Sequence, residues 1–227
     1  MFSSPTDAAQ SKSDRTRAAL REIALTSFRE RGYDATTMRL IAQEAGVSVG
    51  NAYYHFATKN DLVQELYLDV QERHRAAAAP ALAGETDLIE RIAIVYRTGL
   101  DRLTPYHPHA AEFLSAAMSP RSEINPLSPA STASRDITEG LFRDAVSGAR
   151  RSGLPSDLAR ALPAALFLSH LLLALFWVYD RSPGQERTRR LLDRGLRLLR
   201  AALPLVRLPI ARGLVREVLE LVAEVGR

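Results

Sequence analysis

Apolar residues recur at helical spacing along most of the chain. Near the N-terminus, Leu20, Ile23, Ala24 and Phe28 follow an i, i+3, i+4, i+8 pattern, which predicts an amphipathic helix over residues 14–31. There is no sustained alternation of period two and no Asn-Gly or Asp-Gly hairpin turn, the usual signs of strands. The pattern therefore predicts an all-α fold, with three small helices first and a larger helical bundle after them.

Glycine and capping residues divide this pattern into separate helices. Gly32 is predicted to end the first helix, and Gly46 to separate two short helices that begin at Thr36-Thr37 and at Ser48. Longer helices are predicted over residues 60–79, 87–103, 108–118, 135–151, 156–179, 185–203 and 210–225.

Two stretches lack the amphipathic pattern. Residues 119–134 contain three prolines among serines and threonines, which predicts a mobile loop. Residues 161–179 carry no charge, and this run is long enough for a transmembrane helix. Pro163 and His170 interrupt the run and polar helices flank it, so we prefer a helix buried between a subunit core and a dimer partner.

Composition narrows the class of protein. The 227 residues are 46% hydrophobic, enough for a core, with a formal net charge of only +4. The absence of cysteine excludes a disulfide scaffold, a thiolate zinc site and a cysteine nucleophile. Because residues 1–18 contain no apolar segment, we expect no secretory signal peptide and a cytoplasmic location.

The charge is distributed unevenly along the chain. Residues 1–60 have 8 basic and 6 acidic side chains, a balance of +2, whereas residues 181–227 have 11 and 5, a balance of +6. The arginine-rich stretch 187–200 lies on a predicted helix, where a solvated helix face is the preferred interpretation. Bulk charge therefore does not indicate where a nucleic acid would bind.

The residues that indicate a function lie between positions 17 and 62. Two short helices in this segment are joined by Ala45-Gly46-Val47, where the glycine allows a tight bend. Ile41 and Ala52 can pack these helices together, and Phe28 of the preceding helix completes their core. This arrangement is a helix-turn-helix, whose second helix enters the DNA major groove while the first crosses the backbone.

Polar side chains lie where such a motif meets DNA. Thr36 and Thr37 are at a helix N-terminus, where amides and hydroxyls can bind a phosphate. Asn51 has the donor and acceptor to pair with adenine, and Val49 can contact a thymine methyl. Arg39 has the alternative of an ion pair with Glu44. The full predicted DNA-binding set is Thr36, Thr37, Arg39, Ser48, Val49, Gly50, Asn51, Tyr53, Tyr54, His55 and Lys59.

This segment resembles the DNA-binding domain of the TetR family of bacterial transcriptional regulators. The matching residues are Phe28, Gly32-Tyr33, Thr36-Thr37, Ile41-Ala42, Ala45-Gly46-Val47-Ser48, Gly50, Tyr53, His55-Phe56, Lys59 and Leu62. The resemblance implies a ligand-responsive regulator, most simply a repressor, that binds a palindromic operator as a homodimer. It implies phosphate contacts by Thr37, Tyr53, His55 and Lys59, and base contacts by Arg39, Val49, Asn51 and Tyr54. Ala52 departs from the family, which usually has a bulkier aliphatic residue there.

The resemblance also implies a division of the chain. Residues 1–13 are expected to form a flexible tail, residues 14–59 the DNA-binding domain, and residues 60–227 the domain for effector binding and dimerisation. The expected dimer interface comprises Leu172, Leu175, Phe176, Leu192, Leu196 and Leu199. The expected effector pocket suits a small hydrophobic molecule and is lined by Tyr96, Phe113, Leu114, Met118, Phe142, Phe167, His170 and Leu171.

Three alternatives remain at the level of the sequence. One is a DNA-binding activator without an effector. Another is an all-α enzyme, which is disfavoured because the chain has no G-x-S-x-G, H-E-x-x-H or phosphate-loop motif. The third is a metal site at His107 and His109 with Glu112, a weak donor set. We therefore expect no catalytic residues, no metal and no cofactor.

Overall fold

The computed structural model describes residues 11–150, 153–207, 213 and 215–217. Within these ranges the chain forms α-helices joined by turns and short 3₁₀ segments, and no strand is present. The helices are α1 (Lys12–Ala35), α2 (Met38–Glu44), α3 (Val49–His55), α4 (Lys59–Gly84), α5 (Leu88–Leu103), α6 (Ala110–Ala117), α7 (Thr132–Ser147), α8 (Ser156–Tyr179) and α9 (Glu186–Ala202). The all-α prediction is confirmed. The predicted helix 210–225 lies outside the described residues, apart from a few helical positions between 213 and 217.

Side-chain caps begin the N-terminal helices where the sequence placed serines and threonines. Thr37 accepts a hydrogen bond from Leu40 N at 3.1 Å, and Ser48 accepts one from Asn51 N at 3.1 Å. Each hydroxyl thereby satisfies an amide that has no partner within its own helix. α1 begins at Lys12, two residues before the predicted start, because Ser11 and Asp14 form a capping box.

Gly32 interrupts the helical geometry of α1, as predicted. Its φ of +83° lies in the left-handed region, which side chains rarely adopt. A Cβ at this position would also collide with the carboxylate of Glu112 and the ring of His109, both from α6 or the turn before it. The glycine therefore both ends the regular part of α1 and allows α6 to approach it.

α4 is longer than predicted. The sequence indicated an end in the alanine run before Pro80, but the helix continues to Gly84 with the proline inside it. A proline removes one backbone donor and usually kinks or ends a helix. Here Ala78 and Leu82 on either side of it are buried in the core, and this packing compensates for the lost hydrogen bond.

The predicted mobile loop at 119–134 is instead held against α4. Ile124 is fully buried, Gln64 Nε2 donates to Glu123 O at 2.6 Å, and the Tyr67 hydroxyl donates to Ile124 O at 3.2 Å. α7 also begins at Thr132, within the predicted loop. One apolar residue among the prolines is sufficient to fix the segment, because it finds a buried site on the neighbouring helix.

Among the described residues two large hydrophobic cores are present besides a small cluster around Leu158 and Val206, and α4 contributes to both large cores. We call α1–α3 the head and α5–α9 the body. The head core contains Leu20, Ala24, Phe28, Met38, Ile41, Ala42, Ala52, Phe56, Leu62, Leu66, Phe113 and Ile124, among others. The body core contains Ala78, Leu82, Ile92, Val95, Tyr96, Leu141, Phe142, Leu166, Phe167, Trp177, Leu192 and Leu196, among others. α4 therefore connects the two parts mechanically.

A buried arginine of α5 ties the end of α4 to the end of α7. The guanidinium of Arg91 donates to Leu82 O and Glu85 O through Nη1, to Asp144 O at 2.8 Å and to Ala145 O at 2.8 Å. These carbonyls lie at the C-terminal ends of α4 and α7, where helices leave acceptors without regular partners. Two of them, Leu82 O and Asp144 O, also accept from the backbone amides of Glu85 and Gly148. Arg91 thus satisfies both helix ends at once.

Asp180 performs the equivalent role between α8 and α9. Its carboxylate accepts hydrogen bonds from Thr188 N and Oγ1, each at 2.8 Å, and from Ser182 N at 2.9 Å. Burial alone would raise the pKa of this carboxyl, but the hydrogen bonds outweigh burial and hold the pKa well below its usual range. The charge is therefore used to fix the α8–α9 hairpin.

Candidate nucleic-acid interface and effector region

The two short helices of the head form a helix-turn-helix around a small apolar core. Ile41, Ala42 and Ala52 are fully buried where α2 meets α3. Gly46 makes the turn between them with a φ of +65°, and Val47 N donates to Ala42 O at 3.0 Å. Ala52, the position that departs from the family pattern, is the only residue of α3 that is buried, and its small side chain fits the close approach of α2.

The remaining surface of α3 is exposed. Tyr54 is 81% exposed and Tyr53 49%, although large aromatic side chains are usually buried. A Cβ added at Gly50 would have no atom within 4 Å, so this part of the helix is open to a partner. The exposed members of the predicted DNA-binding set are Thr37, Arg39, Ser48, Val49, Gly50, Asn51, Tyr53 and Tyr54, and His55 is half-buried.

Thr36 is a correction to the predicted set. It is fully buried, its hydroxyl donates to Gly32 O at 2.7 Å, and it lies 2.9 Å from Ser27 Oγ. A phosphate cannot reach this side chain while the helix-turn-helix is folded. The two adjacent threonines therefore separate, with Thr36 closing the end of α1 and Thr37 capping α2 at the surface.

Lys59 is half-buried at the start of α4. Its Nζ donates to Tyr33 O at 2.9 Å and lies 3.6 Å from the centroid of the Tyr33 ring. Burial lowers the pKa of this ammonium, and the nearby carboxylates of Asp34 and Glu112 oppose the shift. An ammonium has three donors, so a phosphate contact by Lys59 remains compatible with this position.

Ion pairs neutralise most of the arginines in the head, but not all of its cations. Arg31 pairs with Glu44 at 2.8 Å, which removes that carboxylate as the alternative partner of Arg39. Lys12, Arg15 and Arg39 are the cations of the described head that make no ion pair there with a carboxylate. Arg17 and Arg21 pair with carboxylates of α4.

Lys12 and Arg15 were not identified from the sequence. Both are exposed on the first turn of α1, and both line a surface groove that also includes Ala45 and Val47, next to the turn before α3. The available signal was that neither residue has an acidic residue three or four positions away along the helix. They extend the positive surface of the head beyond the helix-turn-helix.

The residues predicted to line an effector pocket divide into two groups. Tyr96, Phe142, Phe167 and His170 belong together in the body, with the ring centroids of Tyr96 and Phe142 at 5.0 Å, and Leu171 lies at their edge. Their rings are packed against one another, so the region is largely filled in this structure.

Three of the predicted pocket residues are placed elsewhere. Phe113 packs into the head core, with its ring centroid 5.7 Å from those of Phe28 and Tyr33. Met118 is 66% exposed, and Leu114 is half-buried and belongs to neither core. These predictions were wrong because α6 lies between the two parts of the molecule, with Ala110 in the body core and Phe113 in the head core.

His74, Gly99 and Ser169 join the aromatic group and were missed. The ring of His74 lies nearly parallel to that of His170, with centroids 6.3 Å apart, and Ser169 Oγ is 2.6 Å from the Tyr96 hydroxyl. His74 follows Val70 by four positions on the apolar face of α4, a spacing that could have identified it.

The predicted dimer residues also divide into two groups. Leu172 is 66% exposed and is continuous along α8 with the exposed side chains of Leu175 and Phe176. Leu192, Leu196 and Leu199 are corrections, because they face the core of their own subunit. The outward apolar residues next to the α8 face are Tyr179, Leu191 and Leu198. Two leucine stripes on α9, one residue apart, thus differ in burial.

The histidines of the candidate metal site point to different partners. His107 Nε2 is 3.0 Å from Trp177 O, whereas His109 Nδ1 is 3.0 Å from Glu112 Oε1. No group of three metal-ligating side chains occurs among the residues that the structure describes. The metal alternative is therefore not supported by the positions of these side chains.

α8 has the length and composition to span a membrane, with a mean hydropathy of 2.1 over its most apolar window. Within the described ranges it is the single helix that does so. One such helix is weak support for a membrane span, since core helices have the same composition. Leu166, Phe167 and Trp177 of α8 are buried in the body core.

Comparison with known proteins places these features in a family. The profile described as "Tetracyclin repressor-like, C-terminal domain" matches residues 91–221, more than half of the chain. The profile "Bacterial regulatory proteins, tetR family" matches residues 20–66, the segment that contains the helix-turn-helix. The chain belongs to the TetR family of DNA-binding transcriptional regulators and is not an enzyme.

Curated relatives include two named regulators. The transcriptional repressor KstR2 of Mycobacterium tuberculosis is 32% identical over 91 residues, 40% of this chain and 46% of that protein. The regulator TtgR of Pseudomonas putida is 29% identical over 165 residues, 67% of this chain and 75% of that protein. The chain thus aligns with about half the length of KstR2.

Solved structures show the same fold at low sequence identity. A TetR regulator from Nitrosomonas europaea aligns with a TM-score of 0.60 at 20% identity, covering 82% of this chain and 98% of that one. A TetR-family regulator from Streptomyces coelicolor aligns with a TM-score of 0.61 at 17% identity, covering 90% and 88%. These matches support the helical architecture of both head and body.

Proposed function

We propose that this protein is a ligand-responsive transcriptional repressor that binds a palindromic operator as a homodimer. The observation that carries the proposal is the surface of α3, a short helix with two exposed tyrosines and one buried alanine. A short exposed helix that follows a tight turn in a helix-turn-helix is suited to the major groove. The relative KstR2 is named as a transcriptional repressor, which supports repression over activation as the mode of regulation.

The proposed DNA contacts follow from the exposed side chains of the head. Thr37 and Ser48 each accept a helix amide with a lone pair, so their hydroxyl protons are free to donate to phosphate. Tyr53, His55 and Lys59 are the further proposed phosphate contacts. Base edges are assigned to Arg39, Val49, Asn51 and Tyr54, with Gly50 allowing close approach.

The proposed dimer uses the outward face of α8 and α9. Leu172, Leu175 and Phe176 form an exposed apolar row on α8, and Leu198 on α9 is 72% exposed. Contiguous apolar surface of this kind marks an interaction site in a soluble protein. A two-fold interface here is self-complementary and would place two heads about 34–36 Å apart, one turn of DNA.

The effector is proposed to act through the junction between body and head. We place residues 14–59 in the DNA-binding domain and residues 60–227 in the regulatory domain of a cytoplasmic protein. α4 is one connection, and α6 is a second, since Glu112 accepts a hydrogen bond from Asp34 N at 2.9 Å. A coupling free energy of about 1–3 kcal/mol would change operator affinity roughly 5–150-fold.

Selection of DNA by the purified protein tests this function. We expect a palindrome with half-sites about one helical turn apart. Tyr53→Phe and Lys59→Ala should weaken binding to all sequences, whereas Asn51→Ala should change the preferred sequence. Asymmetric selected sites bound by a monomer would contradict the dimer, and unchanged binding by all three variants would contradict the assignment of α3.

A further inference from the structure

His170 has an unsatisfied polar atom in the middle of the body. The residue lies on α8 and is buried, and its Nδ1 has no hydrogen-bond partner among the described residues. Buried polar atoms are nearly always paired, because leaving one unpaired sacrifices its hydrogen bond to water. This atom is therefore where the body core departs from ordinary packing.

The surroundings of His170 are aromatic and come from three other helices. Its ring centroid lies 6.3 Å from that of His74 on α4, 6.1 Å from that of Tyr96 on α5, and 6.2 Å from that of Phe142 on α7. None of these side chains carries a formal charge when both histidines are neutral. The group could enclose a flat apolar molecule if the rings separated.

The neighbouring polar groups are already satisfied, in contrast to His170. His74 Nε2 lies 2.8 Å from Val95 O, and its Nδ1 lies 3.1 Å from Gln71 Oε1. The Tyr96 hydroxyl donates to Leu166 O at 2.9 Å. These bonds fix the walls of the group and leave His170 Nδ1 as the free position.

Gly99 allows both imidazoles to approach α5 closely. A Cβ at this position would lie 3.1 Å from Cε1 of His170 and 3.1 Å from Cε1 of His74, closer than most side-chain contacts. Gly99 is in the interior of α5, where alanine would be the better helix former. The missing side chain thus lies next to the ring that carries the unsatisfied atom.

We propose that His170 is the polar anchor of a ligand site between α4, α5, α7 and α8, and that the ligand is a neutral apolar molecule carrying a hydroxyl group. The inference rests on the proposed function, since this ligand would be the effector. A hydroxyl both donates and accepts, so it satisfies Nδ1 in either tautomer of the ring. Its apolar portion would replace the contacts that the aromatic side chains make with one another.

Because the site carries no positive charge, it favours a neutral ligand over an anion. Burial, together with the neighbouring ring of His74, lowers the pKa of His170 to about 3, so the imidazole is uncharged at neutral pH. A carboxylate placed here would lose its hydration without gaining a cation from the group. A hydroxyl carries a much smaller desolvation penalty.

Binding of two matched probes tests the proposal. 2-Naphthol and 2-methylnaphthalene have nearly the same shape, and only the first has a hydroxyl. We expect the wild-type protein to bind 2-naphthol about tenfold more tightly, the effect of one buried hydrogen bond, as measured by fluorescence titration. Equal affinities, or no binding of 2-naphthol up to its solubility limit, would overturn the proposal.

Two substitutions locate the preference at this site. His170→Phe and His170→Leu should reduce the difference between the probes to within about twofold, because neither side chain can pair with the hydroxyl. Without any probe, the better packed of the two should melt at or above the wild-type temperature, since it removes an unsatisfied atom. A full hydroxyl preference in both variants, or a marked loss of stability in both, would contradict the role of Nδ1.

Gly99→Ala and Gly140→Ala form a matched pair of helix-interior controls. The first should weaken binding of both probes at least about tenfold, because its Cβ would push against the two imidazole rings that form walls of the site. The second has only Arg143 Nη2 near its Cβ, at 3.8 Å, and should bind both probes as the wild type does. Equal effects of the two substitutions would contradict the assigned position of the ligand.

The proposed function is measured separately by operator binding of the wild-type protein. Failure to select any DNA, with the hydroxyl preference intact, would remove the proposed function and leave a ligand site. Operator binding without a hydroxyl preference would overturn the ligand inference alone.

Discussion

The head and the body of this protein use polar side chains in opposite ways. In the head, most of the polar groups on α3 are exposed, and cations such as Arg39 make no ion pair with the described carboxylates. In the body, Arg91 and Asp180 are buried and fully engaged with backbone groups. The comparison separates polar residues available to a partner from polar residues that hold the fold.

Because of this difference, substitutions in the two parts should affect stability to different extents. Surface polar groups exchange hydrogen bonds with water, so their removal changes stability little. A buried polar group is desolvated on folding, and removal of its partner leaves that cost uncompensated. We therefore expect body substitutions to act on the free energy of unfolding and head substitutions to act on DNA affinity.

Arg91→Met should have the largest effect. The substitution removes the side-chain donor from four carbonyl oxygens at the ends of α4 and α7, two of which keep a backbone donor. It should lower the free energy of unfolding by about 3–5 kcal/mol. Urea denaturation followed by circular dichroism measures the change. Arg97→Met is the control, because Arg97 is an exposed residue paired with Asp193 and should cost less than about 1 kcal/mol. Similar losses in the two variants would contradict the role of burial.

Asp180→Asn should have the next largest effect. It should lower the free energy of unfolding by about 1–3 kcal/mol at neutral pH, because the amide replaces a charged acceptor. The pKa of this carboxyl is lower in the folded protein than its unfolded value of about 3.9. Its contribution to stability is therefore complete above that value and is lost as the pH falls through the folded pKa.

The pH dependence of stability distinguishes the contribution of the negative charge of Asp180 from that of its hydrogen-bond geometry. The difference in urea midpoint between wild type and Asp180→Asn should be constant from neutral pH to about 5 and should shrink below about 4. A difference that persists unchanged at pH 2.5 would show that the hydrogen-bond geometry, and not the negative charge, stabilises the α8–α9 hairpin.

Thr36→Val tests an exception within the head, because this threonine is buried. Loss of the hydrogen bonds to Gly32 O and Ser27 should cost about 1–2 kcal/mol of stability, with operator affinity of the folded protein unchanged. Thr37→Val should reduce affinity as well as stability, since Thr37 is exposed and caps α2. Fluorescence anisotropy with the selected operator measures affinity. A selective loss of affinity in Thr36→Val would contradict its buried position.

Lys12→Gln and Arg15→Gln should have the smallest effects, visible mainly in the salt dependence of binding. Each cation that contacts a phosphate contributes about 0.9 to the slope of log affinity against log salt concentration. We expect each substitution to reduce the slope by about that amount without altering the preferred sequence. Arg17→Gln should leave it unchanged, because Arg17 is paired with Glu65. The same salt dependence for all three variants would contradict phosphate contacts by Lys12 and Arg15.

Local features of the head were predictable because their causes lie within a few residues. Thr37 and Ser48 each cap the amide three positions after them, and Gly46 makes a turn because glycine can adopt a positive φ. The boundaries of α8 were also predicted correctly, since Pro155 and Asp180 enclose a long apolar run. The same local reasoning indicated the exposed face of α3.

Predictions failed where the outcome depended on packing between distant segments. Leu191 and Leu192 are chemically equivalent neighbours, yet Leu191 is exposed and Leu192 is buried against the body core. Phe113 was expected in the effector region but packs on Phe28 in the head. Ile124 was expected in a mobile loop but is fully buried. In each case a packing surface from a distant part of the chain determined where the side chain is buried.

The sequence by itself determined the helices, their caps, the helix-turn-helix and the family, because periodicity, capping and turn formation are local properties of the backbone and its neighbours. Only the tertiary structure decided which adjacent threonine is buried, which leucine stripe of α9 faces outward, and that His170 is left with an unpaired nitrogen beside Gly99. These outcomes depend on desolvation, and the sequence does not show which groups will be removed from water together.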